Sequence, residues 1–264
     1  SGALLQTALG NPLAEPYLLG VSSGAAFGIL CATLLGAVTF GLRAAAALAG
    51  SLGATCFVWL LARRSGFSPV PLLLVGIATN ATLSALVLFL TALLNAPALQ
   101  QTVYFLMGTL QRYPRWEWIA ALAVAGFVAA LWGTLSANRL NTLLLGDEMA
   151  YAAGASPSRL RAVALAAASL ATSLAVALSG LVGFVGLLVP RIIRILRGGD
   201  HRTLLPLCFL CGGAFLVLAD AATRLLARPE IGIHTPVGVI TALVGAPMLI
   251  VLVARRWRMG AQAR

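Results

Sequence analysis

The sequence predicts an all-α, polytopic integral membrane protein, and three observations carry that prediction. The chain of 264 residues is 60% hydrophobic and only 9% charged, where a soluble domain carries roughly 25% charged residues. Its mean hydropathy is +0.97. Apolar runs of about 20 residues, the length that crosses a bilayer, recur between breaks rich in Gly, Pro and Arg. Residues 1–264 read as a single transmembrane domain rather than two soluble ones.

Taken in order, residues 1–9 read as the end of a helix that begins upstream, so the sequence is expected to be N-terminally incomplete. Ser1-Gly-Ala-Leu-Leu-Gln has no charged n-region of a signal peptide. Asn11–Tyr17 is a Pro-broken polar turn, because Pro12 and Pro16 lack an N–H and restrict the residue before them. Eight complete spans follow at about 19–39, 44–62, 70–94, 116–137, 160–178, 182–196, 204–226 and 236–254. In the first, Gly20, Gly24 and Gly28 fall on one helix face, where two backbones can approach closely in lipid. The sixth is short and carries Gly180, Gly183 and Gly186 nearby, which suits a broken or re-entrant helix. Ser156-Pro157 and Thr235-Pro236 read as N-cap and first residue of the fifth and eighth spans. Trp116 and Trp118 open the fourth span and Trp257 follows the eighth, where interfacial aromatics belong.

All 18 basic residues are arginine. Without a lysine there is no Walker A motif, whose Lys reaches the β/γ-phosphates. Any ATP-driven role therefore needs another polypeptide. The net charge of +11 does not point to nucleic acid, since the arginines sit at the ends of apolar runs. One set of alternate connections holds Arg63, Arg64, Arg139, Arg159, Arg161, Arg191, Arg194, Arg197, Arg202, Arg255, Arg256, Arg258 and Arg264. The other holds Arg43, Arg112, Arg115, Arg224 and Arg228. The richer side is expected to be cytoplasmic, which puts the Asn11–Tyr17 turn and the C-terminus inside. Cys31, Cys56, Cys208 and Cys211 lie within apolar runs and read as packing residues, since no second CxxC or His pair completes a site around Cys208 and Cys211.

Several motifs carry a family resemblance. NPLAEPYLLGVSSGA (11–25) resembles the signature of FecCD-type permeases, the membrane subunits of binding-protein-dependent ABC importers for iron–siderophores, heme and cobalamin. LQQTVYFLMGTL (99–110), RLNTLLLGDEMAYAAGASPSRLR (139–161), LSGLVGFVGLLVPRIIRILRGGDHRTLLP (178–206) and PVGVITALVGAPMLIVL (236–252) resemble further family segments in the family's order. The resemblance implies the type II ABC importer transmembrane fold, with about eight complete spans here of an expected ten. It implies a permease without catalytic residues or cofactors of its own, ATP and Mg being held by a partner. Its partners would be a second copy of itself, two ABC ATPase subunits, a periplasmic substrate-binding protein and the lipid bilayer of a bacterial inner membrane. The expected cargo is an iron–siderophore or heme-type chelate, with cobalamin as the alternative. Arg228–Thr235 departs from the shorter acidic turn common in the family.

Asp147 and Glu148 sit where acids favour the first turn of a short helix, and Gly154 suits its C′ stop. The resemblance makes Leu145, Gly146, Asp147, Glu148, Ala152 and Gly154 the ATPase-coupling element; a plain interfacial helix is the other reading. Asp220 and Arg224 are spaced i,i+4 near the outer end of an apolar run. They read either as a local ion pair or, by the resemblance, with Arg224 docking the binding protein. Thr79, Asn80 and Ser84 either line a translocation path or hydrogen-bond between helices. His234 stands at the outer mouth as a possible chelate contact or a surface residue, and His201, beside Asp200, reads as structural. Glu117 and Glu230 read as interfacial. No His, Cys or carboxylate cluster has metal-ligand spacing, and no nucleophile–base set appears. From a different class, an ion-coupled carrier would need an intramembrane acid at midplane; only Asp220 qualifies, and it lies off-centre.

Overall fold

The computed structural model describes residues 1–262 apart from 38, 111–115 and 227–235. Arg112, Arg115, Arg228, Glu230, His234, Thr235 and Arg264 thus lie outside the described residues. Within them run α1 (Gly2–Ala8), α2 (Val21–Leu34), α3 (Phe40–Arg64), α4 (Pro69–Thr91), α5 (Ala96–Leu106) and α6 (Trp116–Leu135). After these come α7 (Ala137–Leu144), α8 (Asp147–Ala152), α9 (Pro157–Ser179), α10 (Val185–Arg197), α11 (His201–Leu226) and α12 (Val237–Gln262). A 3-10 turn, Pro16–Leu19, precedes α2.

A helix occupies each of the eight expected spans, but the spans are not all continuous. Among the described residues, only α3, α4, α9 and α11 are individually long and apolar enough to cross a membrane. The expected span at 116–137 is the first limb of a bent pair, with α6 and α7 meeting at 70°. The chain turns polar at Ser136, Asn138 and Arg139, so α7 leaves the apolar direction with α6's length already spent. The span at 182–196 is α10, with 13 residues, entered through the non-helical stretch 180–184.

The expected span at 19–39 differs most. Gly20 is left-handed at φ +77°, which separates the 3-10 turn from a 14-residue α2. The polar turn also does not stay at one face of the molecule. It climbs inward, burying Ala14 and Pro16 and bringing Leu18, Leu19 and Gly20 against Gly76, Thr79 and Asn80 of α4. Non-helical backbone at this depth must be satisfied within the protein. Pro12 and Pro16 bring no donor, Leu13 N–H donates to the Asn11 side chain, and Leu18 and Gly20 close local turns.

At the centre stands α9, half of whose apolar window is buried in the chain. Its Ala- and Ser-rich sequence allows close approach of α1, α2, α3 and α6, all of which touch it. Leu4, Leu5, Leu72, Leu140, Leu165 and Leu204 fill the main core around it. Two residues, Gly24 and Gly28, bring α2 onto α3: a Cβ on Gly24 would sit 2.5 Å from the Gly50 carbonyl oxygen, and one on Gly28 would run into that of Ala46. Gly20 makes a different approach, toward α4.

Candidate functional site

The α8 hairpin stands at one end of the bundle. Gly146, at φ +113°, starts α8, a conformation closed to residues with a Cβ. Asp147 and Glu148 form its first turn. At its other end Gly154 N–H donates to Tyr151 O and Ala155 N–H to Ala150 O, both at 2.9 Å. With Gly154 at φ +73° this is a Schellman stop. Ala150 turns inward, packing with Leu143, Ala155 and Leu160. Leu145, Glu148, Met149, Tyr151 and Ala152 face outward; Leu145 is 68% exposed. Leu145, Met149 and Tyr151 are thus exposed apolar side chains on a short helix with a glycine at each end.

Asp147 differs from its neighbours. Both its oxygens accept from Arg161 of α9, at 2.6 and 2.9 Å. Those hydrogen bonds hold the Asp147 carboxyl below the ordinary carboxylate range. Arg161 is only 7% exposed, and its Nε donates to the carbonyl of Ala8, the last residue of α1, at 3.2 Å. In sequence Arg161 was one topogenic charge among thirteen; its spacing of 14 residues from Asp147 carries no local signal.

Close by, His201 is fully buried between Thr7 (Nε2 to Oγ1, 2.6 Å) and Asn141 (Nδ1 to Oδ1, 2.6 Å). Asn141 also donates to Asp200 at 2.9 Å, which holds that carboxyl low. Thus α1, α7 and α11 share one polar network. Gln6 adds α10, accepting from Arg194 and donating to the Gly186 carbonyl.

Between the Pro-rich turn and α10, Glu15 accepts from the Phe184 N–H at 2.8 Å. Phe184, at φ +67°, is the N-cap of α10. A carboxylate therefore sits where the helix presents unpaired N–H groups and positive dipole. Around this point Gly180 packs on the Phe105 carbonyl and Gly238 on those of Met107 and Leu181. Thr109 N–H donates to Ser179 O and Val237 N–H to Gly108 O. The end of α5, the 180–184 stretch and the start of α12 are thus joined backbone to backbone. Sequence reading passed over Glu15; its place between two prolines in an apolar chain was the available signal.

Toward the far end of α11, Arg224 Nε donates to Asp220 Oδ2 at 2.7 Å, and the Arg224 side chain is 58% exposed against 15% for Asp220. Among the α4 residues singled out, Thr79 is buried and its hydroxyl returns to the Val75 carbonyl of its own helix. Asn80 and Ser84 are half-buried. Thr79 borders an apolar cleft of about 600 Å³ between α2, α3 and α4. A second cavity, about 410 Å³, lies among α1, α6, α9, α10 and α11. No group of three or more metal-ligating side chains occurs among the described residues, and all four cysteines are free.

The apolar spans define a multi-pass helical membrane protein. The FecCD transport family model matches residues 1–255, and the chain belongs to that family. It is 41% identical over 97% of its length to the cobalamin import system permease protein BtuC of Halobacterium salinarum, covering 68% of that protein. It is 36% identical to the hemin transport system permease protein HmuU of Yersinia pestis, covering 97% of this chain and 77% of the relative. A solved transporter structure in an inward-facing conformation, assigned to the metal-chelate type of ABC transporter, matches with a TM-score of 0.86 at 31% identity. That match covers 96% of this chain and 80% of the solved one. The chain is thus the permease of a FecCD-type ABC importer, with ATP hydrolysis carried by a partner subunit. Family membership decides against the ion-coupled carrier.

Proposed function

We propose that two copies of this chain form the membrane channel of an importer for a metal chelate, driven by two ATPase subunits docked at α8. The α8 end faces the cytoplasm in this reading, supported by the arginine excess on that side. A periplasmic binding protein docks at the opposite end, with Arg224 presented to an acidic side chain. Thr79, Asn80 and Ser84 of α4 face the translocation path. The cargo is an iron–siderophore or heme-type chelate, or cobalamin. Relatives named for cobalamin and hemin make tetrapyrrole chelates the first to test.

The observation that carries the proposal is α8 itself: a six-residue helix fixed at both ends by glycines and offering Leu145, Met149 and Tyr151 outward. The test is Leu145→Asp and Gly146→Arg in the full-length protein, co-expressed with its ATPase. Both variants should insert normally yet lose co-purification and at least about tenfold of transport, since a charge placed in a desolvated contact weakens it strongly. Normal uptake by both would refute the docking role.

A further inference from the structure

Six residues are too few to hold themselves helical, because the first turn fixes several dihedrals for one hydrogen bond. What anchors α8 also decides where a push on α8 goes. Its inner contacts are the small cluster around Ala150 and the bidentate pair of Asp147 with Arg161. The cluster joins α8 to α7 through Leu143 and to the start of α9 through Leu160. Arg161 reaches further, because its third donor, Nε, ends on Ala8.

The Ala8 carbonyl lies at the C-terminus of α1, among the groups a helix leaves without an intrahelical partner. A buried guanidinium there satisfies one and complements the dipole. The fixed fork of arginine spans both jobs at once, two N–H groups to the carboxylate and one to the carbonyl, which an ammonium would not reproduce. Beyond Ala8, the seven residues of α1 are held to other helices almost residue by residue. Thr7 meets His201 of α11, Gln6 meets Arg194 of α10, and Gly2 packs on Gly186, where a Cβ would overlap the backbone.

We propose that Arg161 is a positioning residue that straps α8 to α1, so that displacement of α8 moves α1 together with α10 and α11. Asp147 acts inward as the strap's attachment point, while Leu145, Glu148, Met149 and Tyr151 form the face the ATPase grips. The proposal rests on α8 being the ATPase-coupling helix, and the two fail separately in the following experiment.

Full-length permease and its ATPase are reconstituted in liposomes with the permease's native cysteines replaced. A spin label is placed through Leu225→Cys, at the far end of α11, where the side chain is 86% exposed. The label-to-label distance between the two copies is read with and without ATP and vanadate. In the parent protein nucleotide should change that distance. Arg161→Gln should bind ATPase within about twofold of the parent and keep basal hydrolysis, yet lose most of the distance response. Arg161→Lys should show the same loss in milder form, because it keeps a cation without the fork. The charge swap Asp147→Arg with Arg161→Asp can rejoin α8 to α9 but leaves no donor at position 161 for the Ala8 carbonyl. It should recover thermal stability and keep ATPase binding while remaining unresponsive.

A parent-like response in Arg161→Gln, or a restored response in the swap, overturns the strap. Loss of ATPase binding in Arg161→Gln equal to that in Leu145→Asp also overturns it, assigning the pair to the docking surface. Retained ATPase binding in Leu145→Asp instead overturns the coupling-helix reading on which the strap depends.

Discussion

Gly50 and Gly53 lie one turn apart on α3, and the same one-carbon addition is expected to act on them with opposite sign. At Gly50 a Cβ would enter the space of the Gly24 carbonyl oxygen and approach the Gly28 Cα at 3.1 Å; at Gly53 it would meet nothing within 4 Å. The obstruction at Gly50 is backbone, so no side-chain rotation relieves it. Relief requires α2 and α3 to part by about 1 Å along this contact, which also loosens the flanking Gly28–Ala46 contact. Overpacking of this kind costs about 1–3 kcal/mol, whereas Gly→Ala at a free helical site gains about 0.5–1 kcal/mol. At roughly 2–4 °C per kcal/mol for a chain of about this size, Gly50→Ala should lower the melting temperature by roughly 2–12 °C. Gly53→Ala should leave it unchanged or raise it slightly. The assay is thermal unfolding of the purified full-length protein in one detergent, with Gly28→Ala as a second clashing site. If Gly50→Ala and Gly53→Ala shift the midpoint alike, backbone-close packing of α2 on α3 is refuted.

Two further substitutions test the other sites. Glu15→Ala removes the acceptor from the Phe184 N–H and should cost about 1–3 kcal/mol by leaving a buried donor unpaired; Glu15→Gln keeps an acceptor and should lose less than half as much. Equal midpoints for both variants and the parent in thermal unfolding would remove Glu15 from the α10 cap. Arg224→Glu places like charge beside Asp220 and reverses the sign offered outward. Binding-protein affinity for the reconstituted complex should fall at least about tenfold with a weaker salt dependence, and unchanged affinity would exclude Arg224 from docking.

What the sequence disclosed follows from which features are local. Runs such as 70–94 and 204–226 announce helices because bilayer length and apolarity are properties of one segment. The short α8 was equally legible, with acids at its start and Gly154 at its stop. α5 was not recognised as a helix, since its 11 residues fall short of any span. Residues 11–17, which climb inward, were read as a polar turn on the cytoplasmic side, because prolines announce a break without saying where it lies. Its location is set by Glu15 meeting Phe184, 169 positions away. Arg161 was hidden in another way. Its residue type fitted the charge bias completely, so nothing in the sequence separated a buried strap from the exposed arginines around it.

The two kinds of helix contact constrain how the molecule can move. Where α2 meets α3, and where α5, the 180–184 stretch and α12 join, glycines let backbones touch. Such contacts have one register, because sliding by a residue brings a side chain where only a hydrogen fits. These groups therefore move as rigid bodies. By contrast α4 and α11 have only 17% of their apolar windows buried within the chain. Their bare faces meet lipid or another subunit through side-chain tips, which can repack at little cost. A push arriving through α1 would thus reach α11 at its His201 end, where it is tied to α1 and α7, while its bare face can repack and α2 and α3 remain fixed to each other. Transport motion in this fold is expected to be rigid-body displacement at the α4 and α11 surfaces, and it needs no helix to unwind.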